Sequence, residues 1–162
     1  MAKRCIWFLA LLLLCSRDGL SQATKNSIAA PAQKEIQIGL VDNGKSKYQE
    51  GCGCSFWPVG KEPKTDQPNT WQFILVGNYE KQAWMNIDGK IVQLRLVRDT
   101  TRYKGKKGDR YFQVYQSGDI KATVECVANG FGDTHAVFCD AVITVVKGTQ
   151  KKTVKADGSC GC

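Results

Sequence analysis

Two Cys-Gly-Cys units, Cys52-Gly53-Cys54 and Cys160-Gly161-Cys162, bracket most of the chain. In an extended strand, residues two apart share a side and lie too far apart to bond each other comfortably. Laid on neighbouring antiparallel strands, the two units match position for position. That register pairs Cys52 with Cys162 and Cys54 with Cys160, and sets Gly53 opposite Gly161. The double staple ties the last residues to the first part of the domain and closes a loop of more than a hundred residues. For a loop of that length the chain-entropy model gives about 4–5 kcal/mol. The strand geometry is an assumption, since Gly-Cys-Gly-Cys also suits a turn. The same four residues have two other readings. Converging thiolates of Cys52, Cys54, Cys160 and Cys162 make a tetrahedral zinc or iron–sulfur site, or the units serve as redox-active thiols. Structural zinc sites, however, usually space paired cysteines by two or more residues.

The compartment decides among these, and the opening segment speaks to it. Lys3 and Arg4 give a positive start, Cys5 to Cys15 is an unbroken apolar run, and Ser16 to Ala23 turns polar. This is the order of a secretory signal. The apolar run is 11 residues, short of the roughly 20 that span a bilayer. Ser21-Gln22-Ala23 offers small residues to a signal peptidase, so cleavage is expected after Ala23, with Ser21 the neighbouring alternative. A lipoprotein acylated at Cys15 is the other option, but Leu13 and Leu14 stand where a small residue is normally needed. The expectation is therefore a secreted or periplasmic protein that is not transmembrane once the signal has gone. An oxidising compartment removes free thiols, so the six cysteines beyond residue 23 read as three disulfides. The third pair is Cys126 and Cys139, which lie at mirrored places around Asn129–Asp133, where a hairpin brings them opposite each other. No cofactor is expected.

Residues 24–34 are polar and small with one proline, and read as a flexible leader. From Glu35 to Cys162 short β-branched and aromatic runs alternate with Gly, Asn, Asp and Pro, and helical periodicity is absent. One domain fits this length. The expected strands are Glu35–Val41, Lys45–Glu50, Thr70–Gly77, Lys81–Ile87, Lys90–Val97, Arg110–Gln116, Ile120–Ala128, Thr134–Val146 and Lys151–Ala156. Asp88-Gly89 is the strongest turn signal, because a type I′ turn needs positive φ at both central residues. A two-residue loop there pairs Ile87 with Lys90, Met85 with Val92 and Ala83 with Leu94 on one apolar face. Trp84 and Gln82 then point the other way, opposite Gln93 and Arg95. Asn43-Gly44, Ser117-Gly118 and Gly148-Thr149 are further turn candidates. Successive hairpins with one buried face must close or stack. The fold class is thus all-β, a single disulfide-stabilised antiparallel β-barrel or β-sandwich, and sequence does not choose between the two.

Catalytic signatures are missing from the sequence, so the chain reads as a non-enzyme. His135, the one histidine, has only Asp133 nearby and reads as a loop residue. The aspartates fall mostly where turns are expected, which short carboxylates favour by bonding nearby amides. Charge is more informative. The chain carries +8, and losing the signal, with three basic residues and one acidic one, leaves about +6, which favours anionic partners. The densest basic stretch is Arg98–Arg110, with Arg98, Arg102, Lys104, Lys106, Lys107 and Arg110 interleaved with Tyr103 and followed by Tyr111. Such a pattern suits phosphates and stacking, but export argues against nucleic acid and for an anionic protein, glycan or lipid surface. The bland alternative is a solvated loop kept soluble by lysines. Trp84 joins the partner-binding candidates as an outward aromatic.

In size, signal and disulfide use the chain is similar to small exported bacterial β-barrels that inhibit lysozyme, a likeness of architecture that no motif carries. A chain near +6 and a basic lysozyme repel each other unless the contact surface is locally acidic. The expected function is that of an exported, non-enzymatic binding or inhibitor-like protein with an anionic partner. The alternatives are a metal-binding or thiol-redox protein built on the Cys-Gly-Cys units, and an envelope structural protein.

Overall fold

The computed structural model describes residues 34–42, 53–64, 66–67, 70–78, 80–100, 106–132 and 136–161. Among the described residues there is no α-helix, and none long and apolar enough to cross a membrane. The strands are β1 (Ile38–Gly39), β2 (Val41–Asp42), β3 (Gly53–Pro58), β4 (Gln72–Phe73), β5 (Leu75–Gly77), β6 (Gln82–Ile87), β7 (Lys90–Asp99), β8 (Arg110–Ser117), β9 (Ile120–Phe131), β10 (Val137–Lys147) and β11 (Gln150–Gly161). From β5 to β11 each strand pairs antiparallel with the next. β3 pairs with β5 at one end of this series and with β11 at the other, closing an eight-stranded up-and-down barrel. Closure removes the open edges of the sheet and buries its apolar face at once. Of the two architectures the sequence allowed, the barrel is the one formed. β1 continues the β5 side of β6, and β2 with β4 makes a small ribbon outside the wall.

The β6–β7 hairpin follows the expected register pair by pair, from Ile87↔Lys90 to Gln82↔Arg95. Asp88 at φ 53° and Gly89 at φ 79° supply the two left-handed residues that a type I′ turn requires. Elsewhere the strands outrun the alternation seen in sequence. β7 reaches Asp99, β9 Phe131 and β11 Gly161, because neighbouring strands hold backbone groups whose side chains show no pattern. The strand expected over Thr70–Gly77 is broken at Ile74, whose N–H turns to the Phe56 carbonyl at 2.7 Å. β3 occupies a stretch not among the expected strands, while Lys45–Glu50 and Asn43-Gly44 lie outside the described residues, as does the signal segment.

Inward residues of every barrel strand form the main core, with Phe56, Leu75, Met85, Leu94, Val124 and Ile143 among the side chains no more than 1 % exposed. A second cluster of Val41, Trp57, Phe73 and Val76 lies on the outer face of β3 and β5 beneath the β2–β4 ribbon. Trp71 and Trp84 pack against it, half-buried. Ile36, 1 % exposed, belongs to the main core. Around it the N-terminal segment is tied to the barrel by Asp88, Gln150 and Lys152, and Lys147 pairs with Asp88 in turn.

At the seam, Cys54 lies opposite Cys160 and Gly53 opposite Gly161, as the Cys-Gly-Cys spacing predicts, and Cys54 and Cys160 form a disulfide. Cys52 and Cys162 lie outside the described residues. The expected Cys126–Cys139 bridge is not formed, and both are buried free thiols. Phe131 pairs with Val137, so the strands turn back further along the chain than a hairpin centred on Asn129–Asp133 would, and an irregularity between Phe138 and Cys139 leaves Asn129 as an extra residue on β9. Cys126 therefore faces Ala141 and Cys139 faces Ala128, so the two cysteines are diagonal neighbours and not an opposed pair.

Candidate functional site

The basic stretch resolves into a surface on β7, β8 and the turn between them. β7 carries an irregularity between Leu96 and Arg98, where Val97 is the extra residue, so the strand changes face there. Arg98 emerges outward opposite Val114, and its guanidinium lies 4.8 Å from the centre of the Phe112 ring. That distance suits a cation–π contact. Thr100 fixes the backbone beneath, because its N–H and hydroxyl both donate to the Phe112 carbonyl at 3.0 and 3.2 Å. The Phe112 N–H returns a bond to the Thr100 hydroxyl at 3.0 Å.

The turn into β8 is held just as firmly. Asp109 accepts from the Lys106 N–H at 3.1 Å, the Gly108 N–H donates to the Ala128 carbonyl at 2.7 Å, and the Ala128 N–H donates to the Asp109 carbonyl at 2.9 Å. Lys106, Lys107 and Arg110 are consequently exposed side chains on backbone anchored to β9. Beside them a groove of about 410 Å³ opens, walled by Arg110, Phe112, Thr123, Glu125 and Val127. Glu125 stands directly opposite Phe112 and brings one negative group to the wall.

Several sequence expectations change here. Arg102, Tyr103 and Lys104 lie outside the described residues, as does His135. Trp84 is drawn into the packing of the outer aromatic cluster and does not join the basic groove. Tyr111, read as a stacking aromatic, points into the barrel at 5 % exposure, because strand alternation gives the outward place to Phe112. Phe112 is the residue the sequence reading missed, and an outward Arg110 would have found it. Nor do all aspartates serve turns. Asp140 and Asp157 are mid-strand partners on the outer wall, each satisfied by a donor, Asn129 Nδ2 at 2.7 Å and the Gly60 N–H at 2.8 Å respectively.

The second chemical feature is inside. Tyr111 donates its hydroxyl toward Cys139 Sγ at 3.2 Å and lies 3.6 Å from Cys160 Sγ. The Cys126 and Cys139 thiols hydrogen-bond each other, and this makes them unequal. Donation to Cys139, together with burial, pushes the Cys126 thiol up, while donation from Cys126 and then Tyr111 draws Cys139 down against its burial. Nearby, burial and then the charges of Asp99 and Cys126 raise the Tyr115 hydroxyl, which donates to Gln113 Oε1 at 3.0 Å. The metal alternative at the Cys-Gly-Cys units loses two of its four ligands, since Cys54 and Cys160 are bonded to each other. Among the described residues no cluster of three or more ligating side chains is present.

No family model matches this chain, and no curated protein or solved structure matches it. Its function must be argued from these surfaces.

Proposed function

We propose that this is an exported, non-enzymatic binding or inhibitor-like protein that engages an anionic partner through the Arg98–Arg110 surface. One observation carries the reading. Arg98, Lys106, Lys107 and Arg110 are exposed on backbone fixed by the Thr100–Phe112 and Asp109–Ala128 bonds, beside an open groove with an aromatic wall. A solvated loop kept only for solubility needs no such anchoring. Cations held in place lose less conformational freedom on binding than cations on a slack loop, and the chain's net charge draws anions toward them. The signal-like order of residues 1–23 supports export, and with it a partner among anionic proteins, glycans and lipid surfaces outside the cytoplasm.

The test uses the mature protein with two probes, anionic phospholipid vesicles and a sulfated polysaccharide, over a range of salt concentrations. Binding to at least one is expected, weakening as salt rises, and the triple variant Lys106→Glu, Lys107→Glu, Arg110→Glu should abolish it. Unchanged binding and salt dependence in that variant would falsify the reading. The N-terminal residue of the protein recovered from its producing cells checks export independently, with Thr24 expected.

A further inference from the structure

Going round the barrel wall, consecutive strands contribute inward groups to one row: Cys54 from β3, Cys160 from β11, Cys139 from β10, Cys126 from β9 and Tyr111 from β8. Cys54 and Cys160 are directly opposed, as are Cys126 and Tyr111. Cys139 is the diagonal neighbour of both Cys160 and Cys126, since it faces Gly158 on one side and Ala128 on the other. Tyr111 touches Cys139 and Cys160 through one hydroxyl, so those sulfurs lie within two hydrogen-bond lengths of each other. A dithiol and a disulfide thus stand side by side in one wall.

We propose that these four cysteines form an internal thiol–disulfide exchange site, in which the Cys126/Cys139 dithiol is oxidised by the Cys54–Cys160 disulfide. Cys139, which has two donors, loses its proton and attacks Cys160 Sγ. The Cys54–Cys160 bond breaks, its electron pair leaves on Cys54, and Cys54 takes up a proton. Cys126 then gives up its proton and attacks Cys139 Sγ. The new Cys139–Cys160 bond breaks, and Cys160 leaves with the electron pair and is protonated within reach of the Tyr111 hydroxyl. Two thiols have been oxidised, two sulfurs reduced, and no outside oxidant is consumed.

Burial is the argument for an internal acceptor. Cys126 and Cys139 are 2 % and 1 % exposed, which shuts out an external disulfide, whereas Cys54 at the seam is only partly buried. Electrons from the buried pair reach solvent through Cys54. The inference is independent of the basic groove and survives its failure.

The experiment treats the folded wild-type protein with excess iodoacetamide and no reductant, then maps the cysteines by tandem mass spectrometry. Exchange exposes Cys54, and alkylation traps it. The expected product is alkylated at Cys54 and carries a Cys126–Cys139 bond. Cys126→Ser should stop at a Cys139–Cys160 bond with Cys54 alkylated, and Cys139→Ser should keep Cys54–Cys160 intact. Three results would each overturn the proposal. In the first, Cys54–Cys160 persists while Cys126 and Cys139 label only after unfolding. In the second, Cys126 and Cys139 label directly with Cys54–Cys160 intact. In the third, the purified protein already carries both bonds.

Discussion

A methyl group at position 158 has nowhere to go. Gly158 faces Phe56 across the β3–β11 seam, and a Cβ there would lie 2.3 Å from the Phe56 ring and 3.1 Å from the Ser55 carbonyl oxygen. The ring covers the glycine as aromatic side chains cover bare stretches of sheet. Gly158→Ala is therefore expected to destabilise by about 1–3 kcal/mol, read from urea unfolding, and Phe56→Leu in the same chain should return part of that loss. Trp57 poses the converse case. It is 5 % exposed, and its indole N–H has no acceptor among the described residues. Trp57→Phe removes that orphaned donor together with part of a buried ring, two effects of opposite sign, and should leave stability within about 1 kcal/mol of the wild type. Trp57→Ala empties the outer cluster and should cost about 3–5 kcal/mol in the same titration. The sequence marked Trp84 as outward. It did not show that the β2–β4 ribbon covers the outer wall, because that ribbon has two residues per strand and no periodicity to read.

At the β6–β7 turn, Asp88 serves two structures. Its Oδ1 accepts from the Gln37 N–H at 3.0 Å and its Oδ2 pairs with Lys147 Nζ at 2.5 Å. These contacts, the backbone bond foremost, hold its carboxyl below the ordinary value. A depressed folded pKa contributes stability that is present above the unfolded value, near pH 4, and is lost as pH falls through the folded one. The protection of the Gln37 amide against exchange, followed by NMR against pH and taken relative to the intrinsic rate, should thus fall only in acid. Asp88→Asn should give low protection at all pH values, with the acid step gone. The turn and its register were legible because a two-residue loop and a period of two leave one solution. The second duty was hidden, since Gln37 is 51 residues away in the chain.

For the molecule as a whole, the Cys-Gly-Cys spacing revealed the one pairing that alternation never reveals, that of first barrel strand with last. Cys54 and Cys160 are 106 residues apart. Replacing Cys52, Cys54, Cys160 and Cys162 together by Ala should lower stability by about 4 kcal/mol and steepen the urea dependence, because the unfolded chain expands. The basic surface was legible as a charge run, whereas its groove was not, since its walls come from β8 and β9, whose pairing register the charge run does not show. The row of inward sulfurs was illegible for a related reason, because diagonal neighbours depend on barrel stagger and on the irregularity at Cys139. The closure between β3 and β11 has a consequence for synthesis. β3 is made first among the barrel strands, yet one of its two partners, β11, is made last among them. Until β11 has been made, every intermediate carries two unpaired edges, one on β3 and one on the newest barrel strand. The interval before β11 can pair is when this barrel most needs a chaperone.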